Sequence, residues 1–240
     1  MPVALVRRVL AALAAGALAL LLSACLLSPG RFTSDLDVRR DGSFSFAYVG
    51  EVHLLALSKL AEMGGEKKRG DAEAMKQLLG GIDPASPQAA EELAQRLRRQ
   101  KGWRKVEYKG DGLFEVDFAI AGRLDHDFAF PTIERFPLAN PFVQLTMRND
   151  GAVRIDAPGF GPSQAGGFAG GVMGAAPNAA KQPGLRPPPK LDGRFTVRTD
   201  GEVLANNTDE GPKPDVGGGR LEWVANARSP AAPTALVRLR

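Results

Sequence analysis

The chain has 240 residues, a formal net charge of +4, 44 % apolar residues and a single cysteine. No block of like charge is long enough to track a nucleic-acid backbone, so a nucleic-acid partner is not expected. One cysteine excludes a disulfide framework, so the 12 Phe, two Trp and the Val/Leu set must make the core.

The N-terminus reads as an export signal. Arg7 and Arg8 form a charged start, and Val9 to Leu22 run apolar. That stretch is too short for a comfortable membrane span of about 20 residues. Leu22-Ser23-Ala24-Cys25 follows, with small residues before the cysteine as signal peptidase requires. The pattern resembles the bacterial lipobox. The resemblance implies cleavage between Ala24 and Cys25, a diacylglyceryl group on the Cys25 thiol and an acylated new amine. Two or three chains anchor stably, because each buried CH₂ contributes about 0.8 kcal/mol. Leu26 stands where an inner-membrane retention signal would place Asp, which implies delivery to the outer membrane, facing the periplasm. Plain Sec export fits better than a twin-arginine route. Removing the first 24 of 240 residues leaves 216, enough for one large domain, and lowers the charge to +2 as Arg7 and Arg8 leave. The expected organisation is a signal helix over 1–24, an acylated Cys25 and short tether over 25–31, and a single domain over 32–240.

From Phe32 the apolar period is two. Phe32, Leu36 and Val38 share one side, and Phe44, Phe46, Tyr48, Val52 and Leu54 share another. Asp41-Gly42 between them is a strong hairpin signal, because both residues tolerate positive φ. The period then changes. Leu54 to Met63 reads as a helix stopped by Gly64-Gly65. Asp71 can cap a second helix carrying Met75, Leu78 and Leu79. Ser86-Pro87 opens a third, with Ala89, Ala90, Leu93 and Leu97 inward. Its early Glu91 and Glu92 and late Arg96, Arg98, Arg99 and Lys101 suit the helix dipole. Strands return over 103–109 and 113–121 around Gly110-Asp111-Gly112, and over 142–148 and 152–156 around Asn149-Asp150-Gly151. Residues 157–190, rich in Gly, Pro and Ala, read as a flexible loop. Further strands are expected over 194–199, 201–205, 221–227 and 234–239. The expected fold class is α+β: an antiparallel, hairpin-rich sheet with about three helices inserted after the first hairpin.

Little in the sequence signals chemistry. Only His53 and His126 supply imidazoles, and Leu124-Asp125-His126-Asp127 reads as a strand edge or turn rather than a metal site. No nucleophile elbow is present. The Gly-rich stretch from Gly159 lacks a P-loop Lys-Ser/Thr. Asn206-Asn207-Thr208 matches a glycosylation sequon, and in a bacterial chain it reads as a turn. Glu115 and Asp117 alternate on a wet strand face. The expectation is therefore a protein without enzymatic activity, metal or cofactor. Phe44, Phe46, Phe114, Phe118, Phe128, Phe130, Phe136 and Phe142 gather on strand faces. They form either a plain core or the wall of an apolar cavity for an acyl chain.

The ends of the mature chain carry a further likeness. Cys25 is followed by Arg40-Asp41-Gly42-Ser43. Near the other end come Asp200 to Asn207 and Gly219-Arg220-Leu221-Glu222-Trp223. These segments resemble the LppM-type lipoprotein domain, over about a third of the mature chain. The resemblance implies an envelope lipoprotein with an α+β domain that binds a lipid or glycolipid. The alternatives are an accessory subunit docking to an envelope protein partner, and a hydrolase.

Overall fold

The computed structural model describes residues 27–54, 86, 88–132, 141–162 and 190–239. The signal, Ala24 and Cys25, the second expected helix and Phe136 lie outside them, as does the first expected helix beyond Leu54, which ends a strand instead.

The described chain is mostly β. The strands are β1 (Leu27–Val38), β2 (Ser43–Leu54), β3 (Trp103–Gly110), β4 (Leu113–Arg123), β5 (Phe128–Phe130), β6 (Val143–Met147), β7 (Ala152–Asp156), β8 (Asp192–Thr199), β9 (Glu202–Asn206), β10 (Lys213–Asp215), β11 (Gly218–Asn226) and β12 (Thr234–Arg238). Helix α1 (Ala89–Arg98) is the one α-helix among the described residues. The strands form two sheets, ordered β10-β11-β8-β1-β2-β4-β3 and β5-β6-β7-β12-β9.

This overturns the α+β expectation of one hairpin-rich sheet with three inserted helices. Period-two patterning reports that a strand has one buried face, but not which sheet it joins. The chain crosses between the sheets repeatedly: β1 to β4 lie in the first, β5 to β7 in the second, and β8, β9, β11 and β12 alternate. Pairing is also not antiparallel throughout, since β8 runs parallel to β1, from Arg31 opposite Asp192 to Val38 opposite Thr199.

Local chemistry fixes the hairpins. At the β1–β2 turn, Gly42 takes φ 81° and the Asp41 carboxylate accepts the Ser43 N–H at 2.8 Å. At the β6–β7 turn, Gly151 takes φ 78° and Asp150 accepts the Ala152 N–H at 3.1 Å. Helix α1 buries Ala89, Ala90, Leu93, Ala94 and Leu97 and packs against β3. Its Arg98 reaches across to the Val106 carbonyl at 2.6 Å.

The sheets share one core, and aromatic rings fill the space between them. Phe130 of the second sheet lies 4.7 Å from Phe118 and 5.1 Å from both Phe46 and Tyr48 of the first. Offset and tilted pairs at these separations are favourable beyond their area burial. Phe160 is fully buried and stacks 4.1 Å from Phe32, with Phe195 at 5.4 Å. The start of the Gly/Pro/Ala-rich stretch is therefore core, placed by a short 3₁₀ turn at Pro158–Phe160. β1 likewise begins at Leu27, inside the expected tether, because Leu27 and Leu54 face each other and are both buried.

A candidate docking site on the outer sheet face

The outward side chains of the seven-stranded sheet form a grid set by the strand register. One row runs Val224, Arg194, Thr33, Val49, Asp117 and Lys105 across β11, β8, β1, β2, β4 and β3. The next row toward the start of β1 holds Asn226, Asp192, Arg31, Glu51 and Glu115. These two rows enclose an open concavity of about 450 Å³, lined by Arg31, Thr33, Val49, Asp192, Arg194 and Val224. Val49 and Val224, 52 % and 58 % exposed, are apolar side chains of this concavity.

A β-bulge builds one side of this concavity. Between Pro29 and Phe32, β1 advances three residues while β2 advances two. The extra residue re-aims Arg31 outward. Glu51 locks the bulge by accepting from the Arg31 backbone N–H at 3.0 Å, Nε at 2.9 Å and Nη2 at 2.5 Å. From the core side, the Tyr48 hydroxyl donates to the Glu51 carbonyl at 2.8 Å. Burial alone would raise the Glu51 carboxyl, but the Arg31 hydrogen bonds and charge outweigh it and hold the group below its ordinary value. Burial pushes the neighbouring His53 imidazole down, with the Glu51 charge opposing. Gly30 is required here, because a Cβ would sit 2.6 Å from Glu51 Oε2 and 2.8 Å from His53 Nε2.

On the other side, Arg194 pairs with Glu222 at 3.3 Å. The Arg31 and Arg194 side chains stay 76 % and 60 % exposed, so both guanidinium groups remain open to a ligand despite their partners. Farther along the face, Arg198 meets Asp35 at 2.8 Å and Asp215 at 3.3 Å. Between the charged groups lie Ser45, Ala47, Ala119 and Ala121, a smooth strip of small side chains, exposed or half-buried.

The residues weighed for chemistry do not converge. His53 is part of the bulge. The exposed His126 pairs with Asp125, while Asp127 accepts the Met147 N–H at 2.9 Å. Asn206 accepts from the Thr208 N–H at 3.0 Å and closes a turn. Asn207 is a latch between the sheets: its Oδ1 accepts from Trp223 Nε1 and the Thr234 N–H, both at 2.9 Å, and its Nδ2 donates to the Ala232 carbonyl at 2.8 Å. Cys25 lies two residues before β1, outside the described residues. The Arg31–Arg194 concavity was not singled out from sequence. Its one local signal is a valine on an otherwise polar strand face, and only the β1–β8 register brings the two arginines together.

No family model matches this sequence, and no curated protein does. A solved structure does. The NMR structure of the Mycobacterium tuberculosis LppM folded domain is similar over 90 % of this chain and 91 % of that one, at 13 % identity and a TM-score of 0.33. It is the domain type that the two ends of the sequence resemble. At this distance the likeness carries no argument about ligand or site.

Proposed function

We propose that this chain is a lipid-anchored protein of the bacterial envelope, held at Cys25 in the outer membrane and facing the periplasm. Its folded domain binds an amphipathic lipid-like or glycolipid ligand, without enzymatic activity. The observation that supports this reading is the lining of the outer concavity: two exposed guanidinium groups beside two exposed valines. Guanidinium groups match phosphate and carboxylate oxygens with paired hydrogen bonds, and the valines offer apolar surface to the rest of the molecule. The filled aromatic core argues that an acyl chain is not held between the sheets, and directs the ligand to the outer face.

Native mass spectrometry of the full mature chain extracted from membranes tests this. A stoichiometric co-purifying lipid, lost in Arg194→Glu, is expected. A clean apo mass that takes up nothing from envelope lipids would sink the reading. One observation favours the second reading, an accessory subunit of an envelope assembly. The strip Ser45, Ala47, Ala119 and Ala121 offers a partner a flat surface of small side chains. Crosslinking from Ser45 would then capture one envelope protein.

A further inference from the structure

We infer that the sandwich stands upright on the bilayer, with the Leu27 end against the lipid headgroups and the strands rising away from it. This rests on the lipid anchor at Cys25. Cys25 stands two positions before Leu27, with only Leu26 between them. Even fully extended, that separation spans about 7 Å, close to the depth of one headgroup layer, roughly 5–8 Å. An anchor on Cys25 therefore puts the start of β1 at the membrane surface.

β1 is also interior to its sheet, paired with β2 on one side and β8 on the other, so its direction is that of the whole layer. Twelve residues of strand carry the far end about 40 Å from the surface. The membrane-facing rim follows from the register. Leu54 lies opposite Leu27, and its N–H bonds the Gly112 carbonyl at 2.7 Å, which brings the Gly110–Gly112 turn to the same level. Lys190 and Arg228, both exposed, lie just beyond the paired Asp192 and Asn226. Each can meet lipid phosphate, while the exposed acid Asp111 lies in the β3–β4 turn on the other side of β1 and β2. The β6–β7 turn lies at the opposite end, where the Leu239 N–H bonds the Gly151 carbonyl.

The competing arrangement lays the outer face flat on the membrane. It would bring Asp35, Glu115 and Glu222 to the lipid phosphates together with their partners Arg198, Lys105 and Arg194, so charge alone does not choose between the postures and distance does.

The partner is thus the phospholipid surface itself, and the test is one of distance. Acylation consumes the only native thiol, so an introduced cysteine is the one labelling site. The full acylated chain is reconstituted in phosphatidylethanolamine–phosphatidylglycerol vesicles as Arg228→Cys, Asn149→Cys or Ser45→Cys. A fluorophore on each is quenched by a headgroup-attached quencher. Strong quenching at 228, with 149 and 45 near the value without quencher, is expected. Equal quenching at 45 and 228 overturns the upright posture in favour of the flat one, and equal quenching at all three overturns any fixed posture. Mass spectrometry of the same samples separates the causes. An unacylated chain overturns the anchor and this inference together, whereas an acylated chain with the wrong quenching pattern overturns the inference alone.

Discussion

Phe160 offers the sharpest test of the core, because it belongs to a Gly/Pro/Ala-rich stretch that composition assigns to a loop. Its ring is fully buried and lies within 6.4 Å of Phe32, Tyr48, Phe142 and Phe195. Phe160→Ala removes this burial and leaves a cavity between the sheets, at a cost of about 3–5 kcal/mol. For a domain of this size that corresponds to a fall in Tm of roughly 6–20 °C. Urea titration followed by tryptophan fluorescence reads both ΔG and its denaturant slope. The slope should hold, because nearly the same surface is exposed on unfolding. Phe32→Ala, made alone and with Phe160→Ala, should show coupling, because the two rings touch. A loss below about 1 kcal/mol, as for a surface change, would falsify the placement of this segment in the core.

Asn207→Ala removes the acceptor of the Trp223 indole N–H and the Thr234 N–H. Asn207 is exposed, so water can replace its oxygen, and at about 0.5–1.5 kcal/mol for each lost bond thermal unfolding should show a loss of roughly 1–3 kcal/mol, with a smaller one for Asn207→Asp, which keeps the acceptor. Gly193→Ala pushes a methyl into the Phe32 ring and should cost about 1–3 kcal/mol; Ala47→Gly on the open face serves as the control. Acid should loosen the bulge. The His53 imidazole and the Glu51 carboxyl both sit below their ordinary values of 6.5 and 4.5 in the fold. Stability from each is full above those values and lost as pH falls below them toward the folded pKa. Denaturation midpoints should therefore drop first below pH 6.5 and again below 4.5. His53→Gln should abolish the upper step while leaving the lower one, and an unchanged upper step would assign it to another group.

Much of the strand inventory was written in local chemistry. Asp41-Gly42, Gly110-Asp111-Gly112 and Asn149-Asp150-Gly151 each close a hairpin, because positive φ and a side-chain acceptor decide a turn within four residues. The buried face of α1 followed from its spacing in the same way. The division into two sheets was not legible, since Phe130 and Phe118 alternate identically along the chain and only packing assigns them to opposite layers. Nor was the concavity, because Arg31 and Arg194 are joined by a register between strands distant in sequence. The bulge was hidden by Gly30-Arg31, which reads as tether until Glu51 is seen to hold it.

That distant register has a consequence in time. β1 precedes every other described strand, yet its second neighbour, β8, follows about 160 residues later, as the Asp35–Arg198 pair records. Closing a loop of that length costs roughly 4–5 kcal/mol of chain entropy, against about 1 kcal/mol for the β1–β2 turn. The early hairpin can form and dissolve without committing the chain, while the layer that encloses it waits for the last third of the sequence. Such a topology folds slowly. Kinetic refolding should therefore lock β1 only in its slow phase, when β8 docks beside it.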